Sequence, residues 1–371
     1  MNLSFIFPMD YLLLFLSSSV STLLGFFFIF KYFPKWGLLD RPHDYGLKRA
    51  ALPYSAGVII SIVFISHLLL FFPITKELLG LICSGLIIVT VSFIDDFKRL
   101  KPSFRLLMQF LAGLILVLSG IGIEVISNPF GSAIDLRMWT ISFEIFSQLF
   151  EFTPLADLFT IVWIIFVMNA INFQDGIPGL VSGIGSIASF TLLGLSILLI
   201  ISTTTTLDEK LNAQYVAKMA LILGSILFVF NRFDFYPPKV VIGDSGAMFI
   251  GFILAVLSLY TGGKIATTFI VLGLPLADLL WVIIRRVSKG QSPFQGDLNH
   301  YHHKLLRVGF SEQHTLLIAY MMTFALGIAS IGFLFYLKTF GKMIAIAAII
   351  LLMFVISMLL IKKESRQLKE V

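Results

Sequence analysis

The chain is poor in charged residues and in cysteine. Asp, Glu, Lys and Arg make up 13% of its 371 residues, whereas a soluble domain contains about 25%. Because a charge at the centre of a membrane helix costs about 2.5–3.5 kcal/mol, this deficit is typical of a chain that spans lipid. The single cysteine, Cys83, excludes a disulfide within the chain. The net charge of +6 is spread over many loops, so we expect no nucleic-acid partner.

What the chain has in abundance is long apolar runs, each able to cross about 30 Å of hydrocarbon. Helix is the expected conformation, because lipid offers the backbone no hydrogen-bond partner. We therefore predict an all-α polytopic membrane protein, with about eleven transmembrane helices in a single integral-membrane domain over residues 1–371. The N-terminus has no basic segment before its first span, so we expect no cleavable signal peptide. The predicted spans lie near 11–30, 52–72, 77–94, 104–124, 155–171, 180–201, 214–231, 245–261, 265–284, 314–337 and 343–361.

Lys and Arg are distributed unequally between the two sets of loops. They concentrate in the loops near 31–49, 98–105, 232–239 and 285–307 and in the C-terminal segment. Since basic loops face the cytoplasm, we predict an outer N-terminus and a cytoplasmic C-terminus. Segment 125–154 is then the long outer connection, with alternating apolar residues that indicate a short hairpin or a surface segment.

Four polar clusters interrupt the apolar chain, and all four fall at predicted cytoplasmic helix ends. A bundle that only filled lipid would not need carboxylates and three close histidines on one face. This convergence indicates a membrane enzyme rather than an anchor. The clusters are F-I-D-D-F-K at 93–98, N-A-I-N-F-Q-D-G-I-P-G-L at 169–180, V-I-G-D-S-G at 241–246 and S-P-F-Q-G-D-L-N-H-Y-H-H at 292–303.

Two of the clusters place acids at or beyond a predicted helix C-terminus. Asp95 and Asp96 end the third span, where the helix dipole disfavours anions. They form either a solvated charge cluster or a pair that holds a divalent cation or removes a proton. Asn169 and Asn172 share a helix face with Asp175 if the helix continues that far. The alternative for this segment is an ordinary interhelical turn.

The other two clusters combine acids with potential phosphate-binding groups. Asp244, in G-D-S-G before a span, suits a metal–phosphate site, although Asp and Ser there are also ordinary helix caps. For His300, His302 and His303 we favour phosphate binding over zinc, because the tight spacing without cysteine suits a closed zinc site poorly. Asp278 is an intramembrane acid with either a function or a structural pairing to Arg285.

In combination, these motifs resemble the polyprenyl-phosphate N-acetylhexosamine-1-phosphate transferases, of glycosyltransferase family 4 type, over nearly the whole chain. This superfamily includes undecaprenyl-phosphate GlcNAc-1-phosphate transferase and the phospho-MurNAc-pentapeptide transferase of peptidoglycan synthesis. H-x-H-H after S-P-F is closer to the GlcNAc branch. The motifs are G-L-L-D-R-P at 37–42 with Pro53 and Gly57, the Asp95–Asp96 pair, N-x-x-N-x-x-D-G-x-x-G-L, G-D-x-G, and P-L-A-D with R-R and S-P-F-x-x-D-x-x-H-x-H-H-x-L.

The resemblance implies transfer of a sugar-1-phosphate from a UDP-N-acetyl amino sugar to undecaprenyl phosphate, with Mg²⁺, or Mn²⁺ as the alternative, and release of UMP. It implies an active site on the cytoplasmic face of the bacterial inner membrane, in the synthesis of an O-antigen, wall polymer or similar cell-envelope glycan. A homodimer is one expected assembly. The implied residues are Asp95, Asp96, Asp175 and Asp244 for catalysis, the last two as metal ligands, and Asn169, Asn172, Lys48, Arg285, Arg286, His300, His302 and His303 for substrate binding.

Three positions depart from the pattern of the superfamily. Pro178 replaces an acid, Ala247 replaces a serine, and Lys48 stands where the first loop usually has histidine. Proline also removes a backbone N–H from the turn. The departures favour a different UDP-sugar or a lower activity. They also leave open a non-catalytic homologue, a phospho-MurNAc-pentapeptide transferase-like enzyme, and a transporter with Asp278 as its coupling acid.

Overall fold

The computed structural model describes residues 9–42, 50–123, 125–126, 134–137, 139–145, 148–260, 269–291, 300–336, 348 and 351. Its secondary structure is mostly helical, as the apolar runs predict. The helices are α1 (Met9–Tyr32), α2 (Gly57–Phe71), α3 (Lys76–Lys98), α4 (Pro102–Leu118), α5 (Pro154–Asn172), α6 (Leu180–Ile201), α7 (Leu207–Asp234), α8 (Gly243–Tyr260), α9 (Gly273–Ser288), α10 (Tyr301–Arg307) and α11 (Glu312–Tyr336).

Seven of these helices are long and apolar enough to cross a membrane: α1, α3, α5, α6, α7, α8 and α11. Helices α2 and α4 are apolar but shorter, with 15 and 17 residues. The chain is thus a multi-pass membrane protein. Ten of the eleven predicted spans overlap a helix, and the eleventh, 343–361, lies outside the described residues except for 348 and 351. The direction of insertion stays a prediction.

Helix α8 lies at the centre of the bundle. Every residue from Ser245 to Leu259 is buried, and α8 contacts α2, α3, α5, α6 and α7. Helix α2 approaches α8 most closely where two glycines meet. A Cβ atom on Gly57 would lie 2.1 Å from the Cα of Gly246, so this packing requires glycine. By contrast, α1 leaves large apolar side chains such as Leu24 and Phe27 exposed, as expected for a face in contact with lipid.

Buried polar side chains join helices inside the bundle. The hydroxyls of Ser18 on α1 and Ser225 on α7 are 2.5 Å apart. The indole N–H of Trp163 on α5 donates to the hydroxyl of Ser258 on α8 at 2.8 Å. Hydrogen bonds of this kind fix the register of helices whose apolar surfaces alone would slide.

The long connection between α4 and α5 contains two short antiparallel strand pairs. Strand β1 (Val125–Ile126) pairs with β2 (Ile134–Asp135). Strand β3 (Ile141–Ile145) pairs with β4 (Gln148–Phe152), so that Ile141 lies opposite Phe152. The hairpin that was one of two alternatives for this segment is therefore confirmed.

Candidate active site

The carboxylate of Asp96 joins the end of α3 to the start of α8. It accepts hydrogen bonds from the backbone N–H groups of Asp244, at 2.8 Å, and Ser245, at 3.3 Å. It also accepts one from the hydroxyl of Ser55. The first N–H groups of a helix have no partner within the helix, and an anion at this end is favoured by the dipole. Asp96 therefore fixes the position of the G-D-S-G turn.

The segment before α2 completes this junction. Val241 N–H donates to the carbonyl of Pro53, and Gly57 N–H donates to the carbonyl of Ile242. Between them Ser55 is buried and has a φ of 60°, a left-handed conformation that is uncommon for residues other than glycine. This conformation places the Ser55 hydroxyl on Asp96. Sequence reasoning missed Ser55, because the motif that contains it is marked by Pro53 and Gly57.

Tyr54 lies among the carboxylates and forms a side-chain hydrogen bond with Asp96. Burial raises the pKa of Tyr54, and the negative charges of Asp96, Asp244 and Asp175 raise it further. The phenol is therefore protonated at neutral pH and acts as a hydrogen-bond donor in an acidic environment. No sequence motif indicated this role of Tyr54.

Arg105, at the start of α4, bridges two of the predicted catalytic acids. One terminal nitrogen, Nη1, is 2.6 Å from Oδ2 of Asp95, and Nη2 is 3.0 Å from Oδ2 of Asp244. Asp95 is buried and also accepts a hydrogen bond from Leu100 N–H at 2.5 Å. The planar fork of arginine suits two carboxylates at once. The sequence analysis used Arg105 only as a basic loop residue that indicates membrane orientation, and it did not predict this bridge.

Asp175 lies in a turn and not on the helix that precedes it. Helix α5 ends at Asn172, so the condition under which Asn169, Asn172 and Asp175 would share a helix face is not met. No described residue forms a hydrogen bond or ion pair with the Asp175 carboxylate. Its pKa is raised well above the usual value by burial and by the charges of Asp244, Asp96 and Asp234. A carboxylate in this setting favours a cation as its neighbour.

The two asparagines of this segment have different surroundings. Asn169 donates from its amide nitrogen to Oε1 of Gln109 on α4, at 2.9 Å, and to the carbonyl of Ile165, at 2.7 Å. This pairing joins α5 to α4. The buried Oδ1 atom of Asn172 and both polar side-chain atoms of Gln174 have no hydrogen-bond partner among the described residues. Because buried polar groups are usually paired, these atoms indicate a place for a ligand or water.

The histidine cluster is held by Asp278 on α9. Asp278 Oδ2 is 2.7 Å from Nδ1 of His300, and Oδ1 accepts from the N–H of Tyr301, the first residue of α10, at 3.0 Å. These are its contacts among the described residues, so the alternative that paired Asp278 with Arg285 is wrong. The buried acid positions the start of α10 and one ring of the cluster.

His302 packs directly against the Asp175 turn. A Cβ atom on Gly176 would lie 2.3 Å from Nε2 of His302. The rings of His302 and His303 are 4.2 Å apart, and those of His302 and His300 stack at 5.8 Å. Burial lowers the pKa of His302, and its histidine neighbours lower it further. Neither ring nitrogen of this neutral imidazole has a partner among the described residues.

A polar network that the motifs did not reveal holds the other end of the Asp175 turn. The carbonyl of Gly179 accepts hydrogen bonds from the hydroxyl of Tyr320 on α11 and from the amide of Asn231 on α7, at 3.2 Å for the latter. Asn231 also donates to the Tyr320 oxygen at 2.7 Å. The Ser182 hydroxyl donates to buried Asp234 at 2.8 Å. Nothing in the sequence around Tyr320 indicated this contact.

For the remaining predicted substrate-binding residues, the described part of the chain shows no ion pair or hydrogen bond with the four predicted catalytic aspartates. Arg285 and Arg286 lie on the last turn of α9, and Arg286 is buried. Lys48 lies outside the described residues, as does 292–299 of the histidine motif. Of the predicted site residues, the structure brings four aspartates together: Asp95, Asp96, Asp175 and Asp244. We call these four the acidic cluster.

The donors of the acidic cluster are all oxygen atoms, which suits Mg²⁺. Asp96 accepts hydrogen bonds from two backbone N–H groups and the Ser55 hydroxyl, whereas Asp175 has no partner cation among the residues that the structure describes. In the described part of the chain no three His, Cys, Asp or Glu side chains form a complete metal site. Two carboxylates alone nevertheless fit Mg²⁺, which usually completes its coordination with water and substrate phosphates. Asp175 and Asp244 are the residues that would hold it.

Fold and site together define a multi-pass membrane protein with an acidic cluster at the ends of its helices. The sequence profile described as glycosyl transferase family 4 matches residues 78–262, which include all four acids and Arg105. Over that segment, which is just under half of the chain, the sequence is similar to this family. The histidine cluster and Tyr320 lie beyond the matched residues.

Curated relatives extend this similarity. The probable undecaprenyl-phosphate N-acetylglucosaminyl 1-phosphate transferase of Bacillus subtilis is 26% identical over 80% of this chain and 77% of its own length. The undecaprenyl-phosphate alpha-N-acetylglucosaminyl 1-phosphate transferase of Escherichia coli K12 is 29% identical over 84% and 80%. The decaprenyl-phosphate N-acetylglucosaminephosphotransferase of Mycobacterium tuberculosis H37Rv is 28% identical over 68% and 62%.

Proposed function

We propose that this protein transfers N-acetylglucosamine-1-phosphate, or the 1-phosphate of a related N-acetyl amino sugar, from a UDP-sugar to undecaprenyl phosphate. The observation that carries the proposal is the convergence of the acidic cluster beside a neutral, unpaired histidine ring. The names of the relatives support the choice of acceptor and sugar. We place the site at the cytoplasmic face of the bacterial inner membrane, in the initiation of a cell-envelope glycan, on the basis of the basic loops.

The reaction exchanges one phosphorus–oxygen bond for another. An oxygen of the lipid phosphate attacks the sugar-bearing phosphorus of the UDP-sugar. The bond from this phosphorus to the bridging oxygen breaks, and UMP leaves with that oxygen. A phosphate monoester has a second pKa of about 6, so the lipid phosphate is mostly a dianion at neutral pH. Binding and alignment of two anions is therefore the main task of the protein.

The aspartates divide this task according to their contacts. Asp96 holds the G-D-S-G turn in place and so positions Asp244. Asp175 and Asp244 would hold Mg²⁺, which supplies positive charge for the phosphate oxygens when bound. Asp95 shares Arg105 with Asp244 and lies where it can orient the lipid phosphate or accept its last proton.

Neutral donors next to the acidic cluster suit the phosphate groups of the substrates. Tyr54 stays protonated among the carboxylates, and His302 is a neutral imidazole with unpaired nitrogens. His302 can donate one hydrogen bond to a phosphate oxygen without losing another, whereas the single O–H of Tyr54 would have to leave Asp96 to do so. The unpaired buried amides of Asn172 and Gln174 lie in the same turn as Asp175 and supply further donors and acceptors for the nucleotide-sugar.

The experiment is a membrane assay with undecaprenyl phosphate, Mg²⁺ and a panel of UDP-N-acetyl sugars, with UMP and lipid-linked product both measured. We expect product from one or a few of the sugars and nearly complete loss in Asp244→Asn. Asp135→Asn is the matched control, since Asp135 is an exposed aspartate in the hairpin segment. A folded preparation that makes no product with any sugar contradicts the proposal and favours a non-catalytic homologue.

A further inference from the structure

A cavity of about 580 Å³ lies at the end of the bundle opposite to the acidic cluster. Its walls come from the turn between α2 and α3, the segment after α4, the first turns of α7 and the last turn of α8. Helix α8 runs from Asp244 in the acidic cluster to Tyr260 in the cavity wall. At 1.5 Å per residue the two ends are about 24 Å apart. The cavity therefore takes no direct part in the proposed transfer.

One charged group in the wall of the cavity, Glu77, has no partner in the described part of the chain. Glu77, the second residue of α3, is half-buried. Across the described residues its carboxylate forms no hydrogen bond or ion pair. A Cβ atom on Gly120 would lie 3.7 Å from Glu77 Oε1, so the glycine keeps this side of the carboxylate open. The dipole of α3 favours an anion at this N-terminal position. The half-buried carboxylate would gain further from a positive or donor group that replaces the water it has lost.

Aromatic side chains surround the same space. The rings of Phe72 and Tyr215 are 5.9 Å apart and tilted by 32°. The Tyr260 phenol lies within the electrostatic range of Glu77. Aromatic faces attract organic cations, and an adjacent carboxylate adds a direct ion pair. The rest of the wall combines polar residues, Thr75 and Asn212, with apolar ones, Leu78, Ile121, Met219 and Leu259. The apolar part suits the carbon atoms attached to such a cation.

We propose that this cavity binds an alkylammonium group, with Glu77 as the ion-pair partner and Phe72, Tyr215 and Tyr260 as the aromatic wall. The position at the helix ends places the cavity at a membrane surface, where the headgroup of phosphatidylethanolamine presents this chemistry. A free amine such as ethanolamine presents the same group. This inference is independent of the transferase proposal, because it concerns neither the substrates nor the acidic cluster.

The test uses the purified full-length chain in a neutral detergent. Thermal unfolding is followed while phosphatidylethanolamine, phosphatidylglycerol or free ethanolamine is titrated, and an apparent Kd is taken from the shift of the midpoint. We expect phosphatidylethanolamine to raise the midpoint and phosphatidylglycerol to leave it unchanged. Glu77→Gln should weaken the apparent affinity by about tenfold or more, because it removes a charged hydrogen-bond partner. Glu151→Gln, at an exposed glutamate, is the matched control and should bind like the wild type.

Each outcome of the test decides between the alternatives. Equal shifts with free ethanolamine support the ammonium site and identify a soluble amine as sufficient. Equal binding of both lipids, or unchanged binding in Glu77→Gln, overturns the proposal. If Glu77→Gln does not fold, Tyr215→Leu and Tyr260→Leu take its place, and unchanged affinity in both overturns it equally.

Discussion

Arg105 provides the sharpest test of how the acidic cluster works. Its guanidinium contacts Asp95 at 2.6 Å and Asp244 at 3.0 Å, and it thereby holds two carboxylates from different helices in one arrangement. Arg105→Met removes both contacts and leaves the two anions with no shared cation. If Asp244 must be held by this bridge, the variant should lose catalysis without losing its fold.

The size of the effect follows from the two contacts. A hydrogen bond to a charged group contributes about 1.5–3 kcal/mol. The Arg105 side chain is 27% exposed, so solvent screens part of each contact, and we expect a combined loss of about 2–3 kcal/mol. Since about 1.4 kcal/mol is a factor of ten, kcat should fall about 30- to 150-fold. Arg105→Lys keeps the charge but not the fork, so its loss should be smaller, about tenfold.

The assay is UMP release at saturating substrates, together with thermal unfolding of each purified variant. Lys101→Met is the matched control, since Lys101 is an exposed basic residue four positions earlier. An Arg105→Met variant that is folded and retains wild-type kcat refutes the reasoning. So does a control variant that loses as much activity as Arg105→Met.

Three further predictions concern the Asp175 turn. Gly176→Ala places a methyl group 2.3 Å from Nε2 of His302, so the ring must move, and we expect a higher KM for the UDP-sugar in steady-state assays. Tyr320→Phe removes the hydroxyl that joins α11 to the Gly179 carbonyl, and thermal unfolding should show a loss of about 1–3 kcal/mol. The raised pKa of Asp175 keeps this acid protonated to a higher pH than usual. Because Mg²⁺ needs the carboxylate, the apparent Mg²⁺ affinity in the transferase assay should rise with pH, by up to about tenfold per unit.

These predictions have their own controls and opposing outcomes. Gly332→Ala adds a methyl group where no atom lies within 4 Å, and it should leave KM unchanged. An unchanged thermal unfolding midpoint in Tyr320→Phe contradicts the inference that the Tyr320 hydroxyl stabilises the contact between α11 and the Asp175 turn. An Mg²⁺ requirement that does not vary between mildly acidic and mildly alkaline pH contradicts the assignment of Asp175 as a metal ligand.

The sequence predicted the helical membrane fold because hydropathy alone decides it. Apolar runs of sufficient length must become helices in lipid, and ten of the eleven predicted runs overlap helices of the structure. The family resemblance could also be predicted from the sequence, since it depends on short motifs in a fixed order. The sequence left open whether α5 continues as far as Asp175, and the structure shows that the chain turns after Asn172.

The contacts of Asp278 illustrate what a sequence pattern cannot settle. Arg285 was a reasonable partner, because it lies seven residues further along the same helix. The structure instead pairs Asp278 with His300 and the N–H of Tyr301, since the chain folds back and buries both groups together. A contact over more than twenty residues depends on the path of the loop between them, which no local pattern specifies.

By itself, the sequence determined the class of the protein, the helical nature of its spans and the identity of the four acids, because composition and motif order carry that information. The tertiary structure decided which groups meet those acids. Ser55 and Tyr54 reach Asp96 only because the segment before α2 pairs with 241–242. Arg105 reaches two carboxylates only because the C-terminus of α3 meets the N-termini of α4 and α8. Such contacts follow from the packing of distant helices, and packing is a property of the whole bundle rather than of any one segment.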